Sequence, residues 1–288
     1  MRLYGDAAAG ITLAAVSELS LEATFECGQC FRWNRIEPPA PDGGVVYQGV
    51  ALGRAARLTQ SGDVITIDAP EADIPLWREY FDLSLDYAEI RRGLSADVHM
   101  RRAAEFGAGI RILRQDKWEA LASFIISQCN NIPRIKKIVE TLCALFGDEL
   151  EPGAFAFPSP ERIAGLTEAE LAPLRSGYRA PYIIEAARVV ASGELPLDAL
   201  AELSAREAVA ELKKLPGVGE KVASCAALFG LHLLDCFPVD TWMKKAIAAH
   251  YGAELDPARF SPYAGVAQQY LFYYERSGRN SDNMNGKL

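Results

Sequence analysis

Leu215-Pro216-Gly217-Val218-Gly219-Glu220-Lys221, followed by Pro238-Val239-Asp240, decides how this chain is read. The first stretch is a Gly-rich turn that opens into an apolar helical run, Val222 to Leu234. An amphipathic segment precedes it, so residues from about 205 to 234 read as a helix-hairpin-helix. Unpaired N–H groups at such a turn face outward at a helix N-terminus and cradle a phosphate. Lys221 falls in the first turn of that helix, and Asp240, 19 residues on, opens the next one. Each feature has a plain reading: a helix–helix corner, a solvated lysine, an N-cap. Together, a lysine and a carboxylate beside a phosphate-binding turn point to amine chemistry on a nucleic acid.

The rest of the composition sets bounds. At 288 residues and 50% hydrophobic, the chain can bury a core shared by two or three subdomains. No apolar stretch reaches transmembrane length. Met1 to Asp6 shows no long apolar run with a cleavage site, so no signal peptide is expected and the cytoplasm is the expected compartment. A net charge of −8 argues against a protein coated in phosphate contacts. The charge is uneven: residues 1–100 hold 15 acids and 8 bases, whereas 101–137 hold 8 bases and 3 acids. Binding that touches few phosphates and relies on a pocket fits this distribution. Cys27 and Cys30 form a C-x-x-C, yet no second pair follows and His99, His232 and His250 are dispersed. Buried reduced thiols are therefore expected in preference to a zinc, redox or iron–sulfur site.

Period and turn chemistry divide the chain. Ile11–Val16, Phe31–Ile36, Val45–Gln48 and Val64–Asp68 read as short strands between turn segments, with 76–81 as a link. From about residue 100 the period turns helical, through Trp118–Ser127, Pro133–Phe146, Glu168–Leu174, Pro181–Ala191, Ala205–Lys214, Lys221–Leu234, Thr241–Tyr251 and Tyr263–Arg276. The expected class is α+β: an antiparallel β-sheet subdomain over 1–98, a mostly α-helical region over 99–276, and a disordered polar tail over 277–288.

At this point the chain resembles a family. The hairpin with Pro238-Val239-Asp240 is similar to the helix-hairpin-helix, Gly-Pro-Asp superfamily of base-excision DNA glycosylases, and within it to the 8-oxoguanine DNA glycosylases, bifunctional glycosylase/lyases. Gly28-Gln29-Cys30-Phe31-Arg32-Trp33, Ile112 to Asp116, Ser123 to Ser127, Gly177-Tyr178-Arg179-Ala180, and Pro262-Tyr263-Ala264-Gly265 leading to Gln268 and Phe272 carry the same resemblance, in order.

The resemblance implies a double-stranded DNA partner containing oxidised guanine, a nucleotide flipped into a pocket, and a monomeric enzyme. Lys221 is then the nucleophile at the sugar, attacking as a neutral amine, a form that a helix N-terminus and partial burial favour. Asp240 stabilises the positive charge that develops. Gly28 offers a backbone carbonyl to the ring N–H that oxidised guanine has and guanine lacks. Such a hydrogen bond is worth roughly 1–3 kcal/mol. Phe272 and Cys225 enclose the base faces, and Gln268 meets the Watson–Crick edge. Arg134 and Arg179 read the cytosine left behind, and Tyr178 wedges the stack. Gly217 and Gly219 bring the hairpin backbone to the DNA, and Trp242 stands where animal members carry a phosphate-contacting histidine. Cys129 departs from the pattern, occupying the place of an asparagine that fills the vacated space: either Gln128 or Asn130 takes over there, or the preference for an opposing cytosine is loose. No cofactor is required for the chemistry, although the carbonyls of Lys213, Leu215 and Val218 are implied ligands of a structural hard cation at the hairpin. Two other readings compete: a monofunctional alkylpurine or mismatch glycosylase, which lacks the hairpin lysine, and a non-catalytic helix-hairpin-helix DNA-binding module, which needs no pocket.

Overall fold

The computed structural model describes residues 11–15, 18–95, 97–252 and 255–285. Residues 1–6, read above for a leader, and Val16, expected in the first strand, lie outside them. Five antiparallel strands, β1 (Ile11–Ala15), β2 (Trp33–Ile36), β3 (Val45–Ala51), β4 (Arg54–Ser61) and β5 (Val64–Asp68), form one sheet in the order β1-β5-β4-β3-β2. β4 was not expected as a strand. Its only fully buried apolar residues are Ala56 and Leu58, too few to stand out from Arg54, Arg57, Gln60 and Ser61. Alternation does the rest: Ile65 and Ile67 on β5 and Leu58 on β4 turn inward together.

Helix α1 (Leu21–Glu26) and α2 (Ile74–Tyr80) supply the sheet's cover. The latter replaces the expected link, because Trp77 and Tyr80, three apart, share one buried face. Phe25 stacks on Trp33 at 4.7 Å, and Trp33 Nε1 donates to the Tyr80 hydroxyl at 2.8 Å.

Two further helices, α3 (Tyr87–Leu94) and α4 (Val98–Phe106), lead into the helical region. At its centre lies α5 (Lys117–Ile126), buried from Ala120 to Ile126. There follow α6 (Ile132–Phe146), the small hairpin β6 (Glu149–Glu151) and β7 (Ala154–Phe155), α7 (Pro160–Ala164), α8 (Glu168–Leu171), α9 (Arg179–Ala191), α10 (Leu197–Leu200), α11 (Ala205–Leu212), α12 (Glu220–Phe229), α13 (Thr241–His250) and α14 (Ala264–Asn285). α12 is buried from Val222 to Phe229 and packs on α5. It ends at Phe229, five residues before the expected end, and at the Gly230 cap the two helices approach so closely that a Cβ would lie 2.9 Å from that of Ala120. α14 continues to Asn285 through most of the segment expected to be disordered. That segment lacks proline, and polarity alone does not end a helix. Among the described residues no helix is long and apolar enough to cross a membrane.

Candidate active site

A cleft of about 1000 Å³ opens between the α5–α6 corner, the start of α12, the start of α13 and the middle of α14. Gly28, Arg134, Gly219, Lys221, Asp240, Trp242 and Phe272 line it, so seven of the residues singled out in the sequence meet in one place.

Lys221 owes its position to the hairpin. Gly217 adopts φ +76°, a conformation that glycine alone takes at little cost, and a Cβ there would strike the Tyr182 ring at 2.4 Å. Gly219 caps α12 without a side chain, and a Cβ there would meet nothing within 4 Å, so the helix N-terminus stays open. The side chain of Lys221 is half-buried. Its Nζ donates to Ser127 Oγ at 3.1 Å and lies 5.3 Å above the Phe124 ring. Ser127 Oγ in turn donates to the Phe124 carbonyl at 2.7 Å, which leaves its lone pairs for the lysine. Cys225, one turn along α12, is buried beside this lysine, and burial pushes its thiol up to about 11 against the pull of Lys221. Asp240 lines the same cleft and caps α13, accepting from the Met243 N–H at 2.8 Å. A carboxylate held this way keeps a second oxygen available.

The residues expected to hold the base come from α12, from α14 and from the turn after α1. Gly28 has φ +84°, and Phe272 Cε1 lies 3.6 Å from where its Cβ would be. The fully buried Gln29 fixes that turn: its amide donates to the Thr24 carbonyl at 2.9 Å and the Arg111 carbonyl at 2.8 Å and accepts from the Leu113 N–H at 2.9 Å. Gln268 is buried one turn before Phe272, its carbonyl held by Gln269 Nε2 at 2.9 Å. Cys27 and Cys30 are buried thiols, and burial raises both, Cys27 to about 12.

The opposite-strand residues divide. Arg134, at the start of α6, is exposed and donates to the Arg175 carbonyl at 3.2 Å. Tyr178 is 52% exposed. Arg179 is buried, and its guanidinium binds the carbonyls of Gln128, Cys129 and Ser176, so it braces the 128–129 turn. Cys129, exposed on that turn, has φ +46°, a conformation that asparagine takes more readily than cysteine. Trp242 is 45% exposed at the cleft, with Lys245 Nζ 5.7 Å from its ring. At the hairpin, the Leu215 carbonyl accepts the Val218 N–H at 3.1 Å. Among the described residues no hydrogen bond ends on the carbonyls of Lys213 or Val218.

Three cleft residues were given no role from the sequence. Ser127 meets Lys221 across 94 positions. Arg276 reaches back to the Glu26 carbonyl at 3.3 Å, beside Gly28 and 6.0 Å from the Phe272 ring. Lys244 completes the cationic lining. The basic run at 101–137 is not the patch it resembled. Arg111 and Lys136 serve backbone carbonyls, Arg114 pairs with Asp82, and of the eight bases only Arg134 lines the cleft.

A phosphate-open hairpin, with a half-buried lysine and a carboxylate lining one cleft, defines a helix-hairpin-helix base-excision glycosylase. Family models agree in register: residues 12–121 match the 8-oxoguanine DNA glycosylase N-terminal domain, and residues 122–259 match the HhH-GPD superfamily of base excision DNA repair proteins. The N-glycosylase/DNA lyase OGG1 of Arabidopsis thaliana is 33% identical over 90% of this chain and 78% of its own length. The solved Clostridium acetobutylicum 8-oxoguanine glycosylase/lyase, bound to dsDNA containing cytosine opposite 8-oxoG, superposes with TM-score 0.84 at 37% identity, covering 92% of this chain and 94% of that one. A structure of MBOgg1 in complex with a low-affinity DNA ligand gives TM-score 0.85 at 41% identity over 92% and 95% of the two chains. The chain belongs to the 8-oxoguanine DNA glycosylase family.

Proposed function

We propose that this chain excises 8-oxoguanine from duplex DNA with Lys221 as nucleophile and then nicks the strand by β-elimination, as a bifunctional glycosylase/lyase of base excision repair. The observation that carries the proposal is the half-buried Lys221 Nζ, in the cleft and 3.1 Å from Ser127 Oγ. Nζ attacks C1′ of the flipped deoxyribose. The glycosidic bond breaks, its electron pair leaves with the base, and the sugar ring opens to a Schiff base. Loss of a C2′ proton then expels the 3′ phosphate. Asp240 faces the sugar across the cleft and stabilises the cationic character that builds at C1′.

The base enters between Phe272 and Cys225. Gly28 presents its backbone to the N–H that marks the oxidised purine, and Gln268 reads the remaining edge. Arg134 contacts the orphaned cytosine, and Tyr178 fills against the neighbouring stack. Arg179 supports this indirectly, by holding the turn that carries Cys129. The hairpin glycines and the Trp242 indole N–H meet backbone phosphates. Carbonyls of Lys213, Leu215 and Val218 offer neutral oxygen donors that suit a hard cation tying hairpin to phosphate. A substrate of duplex DNA and six free cysteines fit a reducing cytoplasm.

Borohydride reduction during turnover tests the reading. Wild type is expected to form a covalent adduct with 8-oxoguanine duplex, and Lys221→Gln to form none. A Lys221→Gln protein that still cleaves abasic strands at the wild-type rate overturns it.

A further inference from the structure

Only one group of three metal-ligating side chains occurs among the described residues, and none of the three lines the cleft. His99 comes from α4, His250 is the last residue of α13, and Glu275 lies on α14. The sequence shows three dispersed histidines; the fold brings two of them face to face.

We propose that His99, His250 and Glu275 form a three-ligand site for a zinc-class divalent cation, which clamps α4, α13 and α14 behind the base pocket. Glu275 Oε1 lies 3.4 Å from His99 Nε2 and 2.9 Å from His250 Nε2, and all three ligand atoms fall within 4.8 Å of one another. A tetrahedral zinc with bonds of ~2.0–2.1 Å has donor–donor edges of ~3.3 Å, and the two carboxylate–imidazole spacings lie within about half an ångström of that. Two imidazole nitrogens and one carboxylate suit zinc and its first-row neighbours, with a fourth position left for water.

Burial adds a second line. The Glu275 side chain is 7% exposed and that of His99 15%. His99 Nε2 is buried and makes no hydrogen bond among the described residues, its neighbouring acid being Glu275 Oε1 at 3.4 Å, and a cation between the two would bind both. Tyr251 and Tyr274 wall the His99 ring edge-on at 5.6 and 5.7 Å. The two imidazoles stack at 3.6 Å and 13°, which sets their lone pairs side by side. Loading the site therefore turns one ring out of the stack, and His250, the more exposed of the two, is the one that turns. The clamp would tie the far end of the helix that Asp240 opens to the helix that carries Gln268 and Phe272.

The test uses the untagged full chain, stripped with EDTA and titrated with zinc against a chromophoric chelator, with cobalt absorption as a second probe. One zinc per chain, four-coordinate cobalt bands and a raised thermal midpoint are expected. His250→Ala leaves the fold intact by circular dichroism and weakens zinc ~100-fold or more, at or beyond the ~10–100-fold that losing an outer-shell partner costs. Glu275→Gln weakens it likewise. No stoichiometric uptake, or uptake unchanged in His250→Ala, overturns the proposal.

Discussion

The Lys221 amine and the Ser127 hydroxyl meet at 3.1 Å, where the C-terminus of α5 abuts the N-terminus of α12. Ser127 spends its proton on the Phe124 carbonyl, so it can only accept from the lysine. The contact aims Nζ into the cleft before substrate arrives. Ser127→Ala is expected to slow single-turnover excision by ~10-fold, the worth of one such hydrogen bond, while leaving affinity for damaged duplex unchanged. An equal loss in affinity and rate would show that Ser127 acts on DNA instead of on the lysine.

The hairpin glycines separate fold from function. Gly217→Ala forces φ +76° on alanine and drives a Cβ to 2.4 Å from the Tyr182 ring. A loss of ~1–3 kcal/mol in denaturant unfolding is expected from strain and clash together. Gly219 has an extended backbone and open space around its Cβ direction. Gly219→Ala should unfold within ~0.5 kcal/mol of wild type and still bind duplex more weakly, because the added methyl stands where phosphate approaches. Equal destabilisation of both variants would remove the distinction.

Thiol chemistry reports on the cleft. Five of the six cysteines are buried, and burial lifts Cys225 to about 11 and Cys27, Cys143 and Cys236 to about 12. Cys129 alone is exposed, on the turn braced by Arg179. Native protein treated with iodoacetamide should therefore label one thiol, at Cys129, and denatured protein six. Bound damaged duplex should slow that labelling. Labelling that DNA leaves untouched would place Cys129 off the binding path.

Much of this was legible because local chemistry fixed it. The hairpin glycines, Lys221 and Asp240 announce themselves through turn and cap signals, each local to a few residues. Four of the five strands show as short β-rich runs between turns, whereas β4 hides its two inward residues among polar ones. The part that was not legible is long-range. Arg276 reaches Glu26 across 250 positions, and Arg179 turns inward because the carbonyls of Gln128 and Cys129 happen to face it. A run of bases along the chain likewise says nothing about which of them the fold spends on buried carbonyls, as it does with Arg111.

The junction between the sheet and the helices carries a titrating group of its own. Glu119 lies in the first turn of α5, its side chain 14% exposed, with Arg32 Nη1 3.5 Å away and Arg32 itself bonded to the Phe155 carbonyl. Burial raises the Glu119 carboxyl from 4.5 to about 7, more than Arg32 pulls it down. The folded chain thus holds a proton that the unfolded chain releases near pH 4.5. Stability from this group is fully present below that pH and is lost as pH rises through about 7, by at most ~3 kcal/mol. Glu119→Gln cannot titrate and can still accept from Arg32. Its unfolding free energy, measured from about pH 5 to about pH 8, should therefore decline less than that of wild type and overtake it at the alkaline end. Parallel curves for the two proteins would mean that Glu119 is ionised throughout and that the Arg32 pair outweighs burial.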